Sequence, residues 1–156
     1  FETIDEGQAF TVVVDYAHTP DGLEAVLEAA RAVAEKSLVV VFGAGGDRDR
    51  SKRPQMGEVA RRLADRVVVT SDNPRGEAPE VIISGIVSGM DSPPELIELD
   101  RHAAIRHAIA GARKGDVVLI AGKGHESTQT IGDTVIDFDD RDVARSELRR
   151  LGGRSQ

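Results

Sequence analysis

The chain has 156 residues, 20 basic and 27 acidic, with a formal net charge of −7, 40% hydrophobic and 30% charged residues, and no cysteine. That size and mix fit one globular domain with a real core rather than a disordered chain. The composition excludes disulfides, thiolate metal sites and thiol nucleophiles, and an acidic balance with 3% aromatics argues against nucleic acid as the main partner.

The opening Phe-Glu-Thr-Ile-Asp-Glu has neither a basic n-region nor an apolar h-region, so no secretory leader is expected. The longest apolar clusters, such as Leu38 to Phe42, fall far short of the ~20 residues of a membrane span. Ala9 to Asp15 (AFTVVVD) predicts a strand, because a β-branched run is bounded by turn-forming residues. Pro20 suits the first turn of a helix, and Leu23, Val26, Leu27 and Ala30 recur at helical spacing through Glu35. Ser37 to Phe42 predicts a second strand, ending in the glycine- and charge-rich loop Gly43 to Lys52. Pro54 opens another helix, with Met56, Val59, Ala60 and Leu63 on one face. Arg66 to Thr70 predicts a third strand and Ser71 to Gly76 a loop. Pro79 to Met90 predicts a helix, and Leu96 to Leu99 a short strand. Asp100 caps a helix through Ala112, and Asp116 to Ala121 is a strand followed by Gly122-Lys123-Gly124-His125-Glu126. Gly132-Asp133 within Thr128 to Phe138 signals a hairpin, hence an antiparallel edge. Asp139-Asp140-Arg141 leads into a last amphipathic helix, and 151–156 are expected to be a disordered tail.

Alternating strands and helices, with nearly uninterrupted apolar strands, imply one α/β domain over 1–150. It should be doubly wound and Rossmann-like, with a mostly parallel sheet and an antiparallel edge hairpin. Ligands of such sheets bind beyond the carboxyl ends of the strands, and all four polar loops follow predicted strands: Asp15 to His18, Gly43 to Lys52, Ser71 to Gly76 and Gly122 to Glu126.

Neither nucleotide signature is complete. In Gly43-Ala44-Gly45-Gly46-Asp47-Arg48 the sixth position of a dinucleotide fingerprint is arginine, and Gly-x-x-x-x-Gly-Lys-Ser/Thr occurs nowhere. What remains is a loop that can aim N–H groups and Arg48 at an anion, most plausibly a carboxylate, or simply pair Arg48 with a nearby aspartate. In Asp72-Asn73-Pro74-Arg75 the proline holds its neighbours in fixed directions: Arg75 can grip a carboxylate, Asn73 can donate and accept, and Asp72 can take an ammonium. That set suits a zwitterionic amino acid, although Asn-Pro also serves as a plain turn. Gly122 and Gly124 let a ligand approach the backbone, Glu126 can accept from an ammonium, and His125 can serve as a base, a hydrogen-bond donor or, the favoured reading, a structural residue. No metal-ligand spacing and no nucleophile elbow occurs, so neither a metal site nor a catalytic residue is expected in this domain.

In order and spacing, Val14-Asp15-Tyr16-Ala17-His18-Thr19-Pro20, Val41 to Asp49, Lys52-Arg53-Pro54, Ser71 to Arg75 and Ala121 to Glu126 resemble the C-terminal domain of the Mur ligases. Asp139-Asp140-Arg141 fits as well, and the similarity covers 1–150. The resemblance implies a bacterial, cytoplasmic, ATP-dependent ligase of peptidoglycan synthesis with three domains, of which only the amino-acid-binding one is present. The activity it implies is amide-bond formation on UDP-N-acetylmuramoyl-L-alanyl-D-glutamate through an acyl phosphate. ATP and Mg2+ serve that step in the absent domains, so this chain alone is expected to be inactive. Carried over by motif, Arg48, Asp72, Asn73, Pro74, Arg75, Gly122 and Glu126 would bind meso-diaminopimelate, with Arg75 on its distal carboxylate and Gly122 and Glu126 on its distal ammonium. Asp15, Tyr16 and His18 would lie near the nucleotide. The alternatives are an L-lysine-adding or other Mur-like ligase, such as a folate or cyanophycin ligase, or a non-catalytic amino-acid or nucleotide sensor.

Overall fold

Six strands form the main sheet of this computed structural model, which describes residues 1–154. In chain order the elements are β1 (Glu2–Ile4), β2 (Thr11–Asp15), α1 (Pro20–Val33), β3 (Leu38–Phe42), α2 (Lys52–Leu63), β4 (Arg66–Val69) and α3 (Pro79–Val87). There follow β5 (Leu96–Ile97), α4 (Arg101–Ala110), β6 (Val117–Ala121), β7 (Thr128–Ile131), β8 (Thr134–Asp137) and α5 (Asp140–Arg154). The sheet order is β1-β2-β6-β3-β4-β5, parallel except for β1.

The valine-rich strands are apolar on both sides because both sides are covered. Val13, Val40, Phe42, Val67, Val69 and Leu119 point toward α1, α2 and α3. Their alternates Val12, Val14, Val39, Val41, Val68, Val118 and Ile120 point toward α4 and α5. Each fully buried Val, Leu or Ile contributes about 1.5–3 kcal/mol relative to exposure, which makes this double-sided packing the main source of cohesion. The crossovers β2–α1–β3, β3–α2–β4 and β4–α3–β5 cover one face, and β5–α4–β6 returns across the other. β6 is thereby inserted between β2 and β3, and the loops after β2, β3, β4 and β6 converge at one rim.

Local signals account for most boundaries. Thr19 caps α1 through its hydroxyl, which accepts from the Gly22 N–H, and Asp100 caps α4 by accepting from the His102 N–H. α2 starts at Lys52, two residues ahead of Pro54, because first-turn N–H groups lack intrahelical partners and tolerate a proline. α3 stops at Val87 rather than Met90: Gly89 lies against α2, where a Cβ would sit 1.8 Å from the Pro54 carbonyl oxygen. The predicted hairpin is present as β7–β8, with Gly132 at φ 59°, but it forms its own two-stranded sheet. The antiparallel edge of the main sheet is instead β1, three residues held by backbone pairing with β2 and carrying no strong periodicity of their own. α5 carries helix through Arg154, into the span expected to be a tail; Ser155 and Gln156 lie outside the described residues.

Candidate functional site

The rim where the four loops meet encloses a cavity of about 400 Å³. Its wall includes Tyr16 and His18 from the β2 loop, Arg48 from the β3 loop, Asp72, Asn73 and Arg75 from the β4 loop, and Gly122 and Glu126 from the β6 loop. Of the residues predicted from sequence, Pro74 and Asp15 are not on this wall. Pro74 is buried, packed against Gly46, and Asp15 accepts from the Ala17 N–H at 3.1 Å.

The β3 and β4 loops are fastened together residue by residue. The Gly46 N–H donates to the Asn73 carbonyl at 2.8 Å, Arg75 Nη1 donates to the Gly46 carbonyl at 3.0 Å, and the Gly76 N–H donates to Asp47 Oδ2 at 3.0 Å. Glu77 accepts from both terminal nitrogens of buried Arg53, at 2.7 and 2.8 Å, and from the Asp47 N–H at 3.0 Å. The hairpin clamps the same loop from outside: the Arg75 N–H donates to Thr130, and the Arg75 carbonyl accepts from the Gly132 N–H at 2.6 Å. Arg75 is thereby held at φ 53° and Asp47 at φ 55°, the non-glycine residues with positive φ among those described. Backbone in that region is unfavourable for a side-chain-bearing residue and persists only where its surroundings over-determine it, as here.

The wall has two poles. Gly45 lies between two guanidinium-bearing side chains: a Cβ there would sit 2.8 Å from Arg75 Nη1 and 3.5 Å from Arg48 Cγ. Lys52 and Asp49 are also on the wall, while Arg53 is already paired with Glu77. Asp72 and Glu126 add carboxylates to the wall beside Gly122, at φ 121°, where a Cβ would be 2.6 Å from Asp72 Oδ2. Such a wall can hold a carboxylate at one pole and an ammonium at the other.

Beneath the cavity lies a charge network that sequence reading missed. Arg101 is fully buried and donates twice to Asp140, both at 2.8 Å, and to the carbonyls of Ser71 at 2.9 Å and Ala121 at 3.2 Å. Burial opposes the Arg101 charge, but the Asp140 carboxylate more than offsets it and leaves the guanidinium above its ordinary value. Lys123, also fully covered, donates to Asn73 Oδ1 and to the Thr128 carbonyl. Burial pushes its ammonium below the usual lysine value against the pull of Asp72 and Glu126. The available signals were a lysine between two glycines after a strand and an aspartate pair opening the last helix; neither names its partner.

Glu77 supplies a pH prediction. The Arg53 hydrogen bonds hold its carboxyl at about 2, below the ordinary 4.5. A depressed carboxyl stabilises the fold fully above its unfolded value, and the contribution fades as pH falls toward the folded one. Thermal melts of the wild-type chain and Glu77→Gln should therefore differ most near neutral pH and converge as pH falls from 4.5 through about 2. A gap that stays constant across that window would rule this out.

Taken together, the mostly parallel sheet and the charged cavity beyond the carboxyl ends of its strands define an α/β domain of the open, doubly wound class. A family model for the Mur ligase, glutamate ligase domain matches residues 1–124, and the chain belongs to the Mur ligase family. It is 58% identical over 152 residues to the UDP-N-acetylmuramoyl-L-alanyl-D-glutamate–2,6-diaminopimelate ligase of Syntrophomonas wolfei, covering 96% of this chain and 31% of that protein. Against the ligase of the same name from Synechococcus elongatus it is 60% identical over 139 residues, covering 88% of this chain and 28% of that one. It superposes on a solved structure of a ligase of that name with a TM-score of 0.91 at 42% identity, covering 97% of this chain and 31% of that one. A murein peptide ligase from Psychrobacter arcticus shares the fold, with a TM-score of 0.66 at 18% identity over 97% of this chain and 29% of its own. Among the described residues, no helix is long and apolar enough to cross a membrane.

Proposed function

We propose that this chain is the amino-acid-binding domain of a cytoplasmic, ATP-dependent ligase of peptidoglycan-precursor synthesis. The ligase joins meso-diaminopimelate to UDP-N-acetylmuramoyl-L-alanyl-D-glutamate. The observation that carries the reading is a cavity whose one wall brings together the guanidinium-bearing Arg48 and Arg75 beside Gly45 and the carboxylate-bearing Asp72 and Glu126, with Gly122 against Asp72. The distal end of meso-diaminopimelate bears both a carboxylate and an ammonium, and two poles in one cavity match that pair. Arg75 Nε and Nη2 have no hydrogen-bond partner among the described residues, so they are free to donate to the carboxylate. Glu126 and the Gly122 carbonyl accept from the ammonium.

Anchored at its distal end, the amino acid presents its other amine at the open mouth, toward the activated carboxyl of the uridine nucleotide substrate. The rate gain assigned to this chain is positioning, which needs the domain to close on the rest of the enzyme. Tyr16 and His18, at the mouth, would approach the nucleotide on closure. Among the described residues no group of three or more His, Cys, Asp or Glu is placed to hold a metal ion. ATP, held with magnesium elsewhere in the ligase, supplies the phosphoryl group that activates the carboxyl.

L-Lysine lacks the distal carboxylate and would leave Arg75 unmatched, a penalty of about 1–3 kcal/mol, or roughly fivefold to 150-fold in affinity. In the full-length ligase, Arg75→Ala should lower kcat/KM for meso-diaminopimelate by at least about tenfold and change lysine addition much less. Equal losses with both amino acids would sink the assignment of Arg75 to the distal carboxylate. Amide NMR titration of this chain should move Arg48, Asn73, Arg75 and the Gly122 to Glu126 loop selectively with meso-diaminopimelate.

A further inference from the structure

Asn73 lines the cavity, but its side-chain oxygen is already spent. Oδ1 accepts from the Lys123 ammonium at 3.2 Å and from the Thr130 N–H at 3.0 Å. Among the described residues Nδ2 has no hydrogen-bond partner, and it is not one of the fully buried unpartnered side-chain atoms found there, Arg53 Nε and Thr70 Oγ1. With Oδ1 occupied and Asn73 on the cavity wall, Nδ2 is the side-chain group left to meet a ligand. Turning the carboxamide over would set its NH2 against an ammonium and an N–H, donor against donor, and leave the ammonium without that acceptor. Of the two locks the ammonium is the stronger, because a charged donor makes the stronger bond.

Lys123 is built into this position. Its side chain is fully covered, it also donates to the Thr128 carbonyl, and its Nζ lies 3.7 Å from Glu126 Oε1. Gly124 beside it has φ 55° and packs against Tyr16, where a Cβ would be 2.8 Å from the tyrosine Cβ. One buried cation thus touches the carboxamide of the β4 loop, the start of the hairpin and the acidic pole.

We propose that Lys123 is a positioning residue that sets the selectivity of the cavity: it locks the Asn73 carboxamide with Nδ2 toward the ligand and holds Glu126 beside it. The site then offers a donor to a ligand carboxylate, where an unlocked carboxamide would offer either face. This deepens the amino-acid reading of the cavity and rests on it, but Lys123 itself touches no ligand.

The test separates the two readings. In the ligand-free chain, NMR should show no strong cross-peak between the Asn73 Nδ2 protons and the Thr130 N–H. A strong one means a reversed carboxamide and overturns the proposal whatever the ligand. In K123M only the weaker Thr130 lock remains on the carboxamide and Glu126 loses its neighbouring cation, so a cross-peak from a reversed fraction should emerge, and affinity for meso-diaminopimelate should fall by about tenfold, with the preference over L-lysine reduced. Lys123→Cys, alkylated with 2-bromoethylamine in denaturant and refolded, rebuilds the ammonium and should restore both; the chain has no other cysteine. A folded K123M that binds meso-diaminopimelate like wild type overturns the proposal. If K123M fails to fold, Asn73→Asp decides. It keeps an oxygen for Lys123 and Thr130 and replaces the cavity-facing donor with an acceptor, so it should fold and lose about tenfold in affinity. Wild-type affinity in Asn73→Asp overturns the proposal. A wild-type chain that binds neither amino acid counts against the proposed function, while the cross-peak still decides the role of Lys123.

Discussion

Asp140→Ala is expected to destabilise the domain by about 3–5 kcal/mol, the cost of removing one partner from a buried ion pair and leaving the other charge uncompensated. Arg101 and Asp140 both have no side-chain exposure, and each opens a helix on the same face of the sheet. Two guanidinium–carboxylate bonds tie α4 to α5, and two further bonds tie Arg101 to carbonyls just past β4 and at the end of β6. Without Asp140, the carboxylate with the next largest pull on Arg101 is Asp72, on the cavity wall. Loss of stability and disturbance of the cavity should therefore come together. Urea unfolding followed by circular dichroism measures the first. A loss below about 1 kcal/mol, typical of an exposed pair, would mean that the pair is not the buried node described here. The double replacement Arg101→Met with Asp140→Leu should recover part of the stability, because apolar groups pack there without a desolvation penalty. It should not recover all, since the carbonyls of Ser71 and Ala121 would lose their donor.

Gly46→Ala should damage function more than stability. A Cβ on Gly46 would sit 1.7 Å from the Pro74 carbonyl oxygen, so the β3 and β4 loops must part by more than an ångström. That movement breaks the Gly46–Asn73 backbone bond and the bond that steadies the Arg75 guanidinium. If the site works by positioning, as proposed, a misplacement of that size costs about 100-fold in rate. In the full-length ligase, kcat/KM for meso-diaminopimelate should fall on that scale. The thermal midpoint of the isolated chain should move little, because the sheet core under α1 and α2 is untouched. A variant of near-normal activity would show that the loop contact does not position Arg75.

Much of this architecture is legible in the sequence. The runs Val12 to Val14, Val39 to Val41, Val67 to Val69 and Val117 to Ile120 are mostly β-branched and apolar without alternation, as a strand buried on both faces requires. Once such strands alternate with helices, topology places their following loops on one rim, and the polar residues of that rim become the candidate site. Hence Arg48, Asp72, Asn73, Arg75, Gly122 and Glu126 could be named from local sequence, and one cavity holds them all. The exception proves the mechanism: β1 is short, mostly exposed and unpatterned, and only its pairing with β2 makes it a strand.

What sequence by itself determined, then, was the element order, the double-sided core and the chemical kinds of side chain at the rim, because these depend on neighbours a few residues apart. The tertiary structure decided which atoms of those side chains remain available. Asn73 has its oxygen taken by Lys123 and Thr130, 50 and 57 residues away, and Arg101 finds Asp140 across 39. Arg75 takes its left-handed backbone from a hairpin that joins no other strand of the sheet. A buried polar group must be paired, but many partners could do it, and only the packed fold selects one.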